Sequence, residues 1–172
     1  QYQDAHRVYS LVKSKKVDLV MVAYPESHSA FKHTVFGTDH LTLIVPSHHP
    51  LAQQSKVNIE EISGEAFVAF DQNTPTRSHI DKFLESHNVK VSIQMTNNNI
   101  FSLKKGVEAG LGISIVPWKT VDDEVRAGTI CRVSLGKAKL QRELAITTLG
   151  GLQQSGISEL FINSLVAHHG MA

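Results

Sequence analysis

Apolar positions along the chain change period several times, and each change predicts an element. After Asp4 and Ala5, the residues Val8, Leu11 and Val12 recur at helical spacing and lead into the basic run Lys13, Lys15 and Lys16. Residues 4–16 therefore read as a capped amphipathic helix with cations at its C-terminal end. The run VDLVMVA (17–23) is continuous and valine-rich, which predicts a strand buried on both faces. After the turn signal in YPESHS, the segments KHTVFG and HLTLIVP predict further strand, closed by Pro46. SHHPLAQQSK is polar connection, and VNIEEISG suggests a short helix or turn.

Beyond that point the order becomes regular: strand 67–70, helix about 77–87, strand 91–95, helix about 98–109, strand 112–116, helix about 118–127. Such alternation predicts βαβ units and a parallel sheet. GVEAGLGISIVPW fits it, with Gly110 where a helix ends in a left-handed residue and Pro117 where a new helix begins. TICRVSL and RELAITT predict two more strands, and a final amphipathic helix carries Ile157, Leu160, Phe161 and Leu165. No repeat, low-complexity tract or long linker interrupts the pattern.

Composition narrows the class. The 172 residues are 41% hydrophobic and 19% charged with a net charge of +1, the balance of a globular protein without the basic face that grips a nucleic-acid backbone. No apolar run approaches the ~20 residues of a membrane-spanning helix. The single cysteine, Cys131, has no internal partner for a disulfide, which suits a reducing compartment. The chain opens on QYQDAHR, with neither an initiator methionine nor a secretion signal, and reads as a fragment.

In open parallel sheets ligands sit beyond the carboxyl ends of the strands, where loops and helix N-termini gather. After strand 67–70 comes DQNTPT, with Asn73, Thr74 and Thr76; after 91–95 come Thr96, Asn97, Asn98 and Asn99; after 112–116 come Pro117 and Trp118. Hydroxyls, amides and the N–H groups of helix starts would offer neutral hydrogen bonds to a small polar or anionic molecule. The same residues are also good N-caps and turn formers, so both readings stand. Arg77 opposes the dipole of its helix start, which calls for a partner, either a ligand in a cleft or a distant acid.

Catalytic and metal chemistry find little support. The ten histidines, among them His28, His33, His40, His48, His49, His168 and His169, fall at irregular intervals without a completing Cys or carboxylate, so no metal is expected. GVEAGLG follows a helix and precedes a strand, the reverse of a dinucleotide loop, and no cofactor motif is present. Ser78, His79 and Asp81 crowd one helix start and do not form a triad.

Five segments in order resemble the effector-binding domain of LysR-type bacterial transcriptional regulators: VYSLVKSKKVDLVMVAYP, DHLTLIVPSHHPLA, FVAFDQNTPTRSHIDKFL, GVEAGLGISIVPWKTVDDEVRAG and RELAITT. The HPLA of His49–Ala52, the spacing to Arg77-x-x-Ile80-Asp81 and the AGLGISIVP block are the specific parts. The resemblance implies an α/β fold of two Rossmann-like subdomains joined by two crossing strands, as in type II periplasmic binding proteins. LTLIVP and RELAITT would cross; residues 1–45 with 142–172 would form the first subdomain and 46–141 the second. The first would be truncated at its N-terminus, since the family's opening strand, the helix after it and most of its second strand have no counterpart.

The resemblance further implies a small polar or anionic effector in the cleft between the subdomains, sensed through hinge and oligomer changes. By position, Thr74 and Thr76 match the family's effector-contacting loop and Arg77 its common arginine, while Ala23, Tyr24 and Pro25 face the cleft from the other side. With Asn73, Asn97, Asn98, Asn99 and Pro117 these are the expected effector-binding residues. A cytoplasmic homodimer or homotetramer is implied, reaching DNA only through an N-terminal domain outside this chain. A solute-binding module of a transport system shares the fold. An enzyme resembling prephenate dehydratase is a further alternative, but Ser78 replaces the aromatic residue of its Thr-Arg-Phe motif.

Overall fold

The computed structural model describes residues 5–25, 27–136, 140–151 and 155–169. In chain order the elements are α1 (Ala5–Lys13), β1 (Leu19–Ala23), β2 (Phe31–Pro46), β3 (Ala66–Phe70), α2 (Pro75–Ser86), β4 (Ser92–Asn97), α3 (Ile100–Glu108), β5 (Ser114–Pro117), α4 (Asp122–Ala127), β6 (Ile130–Val133), β7 (Gln141–Leu149) and α5 (Gly156–His169). Short 3-10 turns occupy Pro50–Gln53, Ile59–Ile62 and Trp118–Val121. The helix expected over 118–127 is thus divided, and its α-helical part begins where Asp122, Asp123 and Glu124 place three carboxylates in the positive first turn.

The chain forms two compact units, residues 1–39 with 142–172 and residues 40–141. Two strands, β2 and β7, pass from one to the other, giving the two α/β subdomains with crossing strands. KHTVFG and HLTLIVP are one 16-residue strand rather than two. In the first unit β1 pairs antiparallel with β7, Leu19 opposite Thr148 and Ala23 opposite Leu144. Arg142 Nη2 meets Asp39 Oδ2 at 2.8 Å, with both side chains largely buried.

In the second unit the predicted βαβ order holds, but parallel pairing is confined to part of the sheet. β3 and β4 run parallel, with Ala66 opposite Ser92 and Phe70 opposite Asn97. A parallel bridge joins Phe67 to Ile113, just before β5. The returning strands make the rest antiparallel: β2 pairs with β5 from Leu41–Pro117 to Ile44–Ser114, and with β6 from Leu43–Val133 to Pro46–Ile130. Around this sheet packs a continuous core that includes Leu43, Ile44, Ile62, Phe67, Ile80, Leu103, Ile115 and Val133.

Two glycines make the β3–α3–β5 corner possible. Gly110, at φ +78°, takes the left-handed position after α3, as its place in the sequence predicts. Gly112, at φ +150°, lies so close to β3 that a Cβ there would come within 2.3 Å of the Ala66 carbonyl oxygen.

The first unit departs from expectation at two elements. The 17–23 run is not buried on both faces: β1 pairs only with β7 among the described strands, and Met21 is 53% exposed. Helix α5 turns Ile157 (82% exposed), Leu160 (72%) and Phe161 outward, while Ser158 is buried and Leu165 half-buried. Apolar residues recur around most of this helix, so their spacing does not single out one inward face.

Candidate functional site

Because β4, β3 and the 113–117 segment are parallel neighbours, their carboxyl ends share one edge of the second unit. Phe70, Asn97 and Pro117 end the three strands, and α2 and α3 start just beyond the first two.

Thr74 is the N-cap of α2. Its Oγ1 accepts from the Arg77 amide at 3.2 Å and donates to the Asp71 carbonyl at 2.8 Å, with Pro75 in the first helical position. That hydroxyl proton is spent inside the loop, which leaves Thr74 only acceptor capacity for anything outside it. Thr76, one residue into the helix, is half-buried, and Asn73 is exposed.

Arg77 is 8% exposed, and its guanidinium is turned to the protein. Nε donates to both oxygens of Asp81, at 2.7 and 2.8 Å, and Nη1 donates to the Phe70 carbonyl at 2.9 Å. One side chain thus ties the last residue of β3 to the second turn of α2. The unfavourable dipole position is offset by an ion pair at i,i+4.

The asparagine loop is built on the same principle. Asn97 Oδ1 accepts from the Asn99 amide at 2.8 Å, and Asn99 Oδ1 accepts from the Phe101 amide at 2.9 Å, capping α3. Asn98, between them, is exposed. At the third strand end Pro117 is buried, and its carbonyl accepts from Thr120 Oγ1 at 2.6 Å. Lys104 donates to the Thr120 carbonyl at 2.7 Å and pairs with Glu124 at 2.6 Å, so α3 clamps the turn after β5. That clamp has no local signature in the sequence, because its members are distant along the chain.

Eight of the expected site residues, Asn73, Thr74, Thr76, Arg77, Asn97, Asn98, Asn99 and Pro117, therefore gather at one edge. Tyr24 and Pro25 lie in the first unit, both half-buried, with Tyr24 at φ +58° and its amide donating to the Glu143 carbonyl at 3.1 Å. On α3, the Lys105 ammonium and the Thr129 hydroxyl hydrogen-bond to Glu108 and hold its carboxyl below the usual carboxylate range. Among the described residues no group of three or more His, Cys, Asp or Glu is placed to hold a metal ion, and no helix is long and apolar enough to cross a membrane. Of the Ser78, His79, Asp81 set, Asp81 is engaged by Arg77.

Comparison with known proteins places this geometry. Among curated proteins, the chain is 32% identical over 134 residues to a probable RuBisCO transcriptional regulator of Cyanidium caldarium, covering 76% of this chain and 42% of that protein. It is 26% identical over 157 residues to the HTH-type transcriptional regulator YybE of Bacillus subtilis, covering 91% of this chain and 53% of that protein. The chain thus spans about half the length of these curated relatives.

The solved structures that share the fold include two regulatory domains with bound ligands. The CcmR regulatory domain of Synechocystis PCC6803, in complex with 2-PG, superposes with a TM-score of 0.87 at 22% identity over 97% of this chain and 80% of that one. The effector-binding domain of QuiR, in complex with shikimate, also gives 0.87, at 18% identity over 98% and 79% of the two chains. A family model described as the LysR substrate binding domain matches residues 1–170, and the chain belongs to that family.

Proposed function

We propose that this domain senses a small polar or anionic effector as the regulatory part of a LysR-type transcriptional regulator. The observation that carries the reading is the strand-end edge of the second unit. Three neighbouring strand ends and two capped helix starts gather hydroxyl and amide groups there, with the nearby Arg77 charge already balanced by Asp81. In such a site, Thr76, Asn73 and Asn98 make the direct contacts, Thr74, Asn97 and Asn99 hold the loops, and Arg77 braces the strand end. Neutral hydrogen bonds of this kind suit a hydroxylated or carboxylated metabolite. The solved folds that the chain resembles include one with 2-PG and one with shikimate, which fits that class of ligand.

The regulator would act in the cytoplasm as a homodimer or homotetramer, with a separate N-terminal domain contacting DNA. Effector binding alters regulation only if the two arrangements of the protein bind the effector with different affinity. No cofactor or metal takes part in this reading.

A thermal-shift screen of small metabolites identifies the effector, because a ligand of the folded state raises its apparent stability. Calorimetry on Thr76→Val and Asn98→Ala should then show about 1–2 kcal/mol less binding energy per lost hydrogen bond. Unchanged affinity in both variants would sink the site. A helix-turn-helix encoded upstream is expected, whereas a secretion signal there would turn the reading toward a transport module.

A further inference from the structure

A second cavity, of about 540 Å³, lies within the second unit and meets the strand-end loops only at Trp118, the residue after Pro117. Antiparallel pairing of β2 with both β5 and β6 builds it. Leu41 sits opposite Pro117, which brings His40 beside Trp118, and Ile44 sits opposite Arg132 on the other neighbour. Its walls include His40, Ser55, Trp118, Arg132, Ser134 and Leu135.

His40, Ser55, Trp118, Arg132 and Ser134 are all exposed, so the cavity is an open groove, and three features of its walls suit a ligand. First, the Arg132 guanidinium is stacked over the Trp118 indole at 5.1 Å from the ring centroid, which fixes its position. Its one protein acceptor among the described residues is Asp122, reached through Nη1 at 3.1 Å, and that carboxylate is half exposed and so a weak competitor. The other guanidinium N–H groups are left for the paired oxygens of a carboxylate or phosphate, which the arginine fork matches.

Second, the Ser134 amide donates to the Ser55 carbonyl at 3.1 Å, which places two serines side by side in the wall. Neither hydroxyl has a protein partner among the described residues. Third, His40 stands edge-on to the same indole, ring centroids 6.2 Å apart, with its Nδ1 3.2 Å from Gln141 Nε2. A cation and two hydroxyls, with the Trp118 ring and Leu135 as apolar lining, give one cavity both polar and apolar walls.

We propose that this cavity is a second small-molecule site, for a compound that carries an oxyanion on a compact apolar body. Arg132 takes the oxyanion, Ser55 and Ser134 bond to its remaining oxygens, and Trp118 and Leu135 pack against the carbon part. Carboxylate and phosphate share the required chemistry. The site is additional to the strand-end site and meets it only at Trp118, beside Pro117.

Trp118 is the only tryptophan in the chain, so intrinsic fluorescence reports from the wall of the cavity. The protein is titrated with benzoate, phenyl phosphate and neutral benzamide. Saturable quenching is expected with benzoate or phenyl phosphate and not with benzamide, and the tighter of the two anions identifies the headgroup. Arg132→Gln should weaken it at least tenfold. Ser134→Leu, which fills the cavity while keeping the charge, should abolish it. Thermal midpoints establish that both variants are folded, and Thr76→Val should leave the titration unchanged. The proposal is overturned by absence of saturable quenching with both anions, by equal quenching with benzamide, by its survival in Arg132→Gln, or by its loss in Thr76→Val.

Discussion

Arg77 shows how one residue can look like a ligand contact in the sequence and serve another purpose in the fold. A cation at a helix start is disfavoured by the dipole, so the position demanded a partner. Asp81, four residues on, is that partner, where the sequence pointed to a ligand or a distant acid. The Phe70 carbonyl was not legible either, because its distance from Arg77 depends on how the helix leaves the strand. Arg77→Met should therefore strand that carbonyl and lower stability by about 1–3 kcal/mol, read from urea unfolding. Asp81→Asn should cost less than about 1 kcal/mol, since Asp81 is half exposed. An unchanged unfolding midpoint in Arg77→Met would return Arg77 to the list of direct effector contacts. Gly112 teaches the same lesson. The glycines of AGLG announce a turn, and Gly110 fills the capping role expected of it, but the 2.3 Å approach at Gly112 depends on β3, more than forty residues earlier. Gly112→Ala should destabilise the fold by at least about 2 kcal/mol through that clash.

Elements were most legible where capping, punctuation and periodicity agreed. Helices α2 and α3 start at Pro75 and Ile100, two residues before and two residues after the expected 77 and 98, and the caps Thr74 and Asn99 are both made by side-chain oxygens. Thr74→Ala and Asn99→Ala should each cost about 1 kcal/mol of stability, measured by thermal or urea unfolding. A loss well below that in either variant would mean that the cap bond contributes little there. At the other end of α3, Glu108 supplies a pH signature. Its carboxyl is held below its ordinary range in the folded state, first by the hydrogen bond from Lys105 and then by that from Thr129. Its contribution is therefore present above the unfolded carboxylate range and is lost as pH falls through the lowered folded value. Glu108→Gln should be less stable than the parent at neutral pH, and the gap should close as the solution becomes strongly acid. A gap that is constant with pH would show that the bonds do not favour the charged form. Elements were least legible in the first unit. The unbroken apolar run of β1 suggested a central strand, yet it pairs only with β7 among the described strands, and periodicity cannot reveal how many neighbours a strand will find.

At the scale of the molecule the two units have unequal cores, and this bears on how the protein unfolds. The second unit buries a cluster running from Leu41 to Leu140 that covers both faces of its sheet. In the first unit the buried cluster is Tyr9, Val22 and Ala145, with Val8, Val20 and Phe31 packed at its margin. The crossing-strand architecture was legible through the family resemblance, but this imbalance was not, since VDLVMVA and the final helix contain as much apolar sequence as the elements of the second unit. What differs is where those side chains end up, with Met21, Ile157 and Leu160 largely in solvent. Burial of apolar surface is the main favourable term in folding, so the first unit should have the smaller free energy of opening. Native-state hydrogen exchange checks this directly. Amides of Leu43, Ile44 and Ile115 should exchange only through global unfolding, whereas those of Val22 and Ala145 should exchange through a lower-energy opening whose cost falls more gently with denaturant. If Val22 and Ala145 instead show the same exchange free energy and denaturant dependence as Ile44, the crossing strands couple the two units into one cooperative block. The weakness of the first core would then have no independent expression.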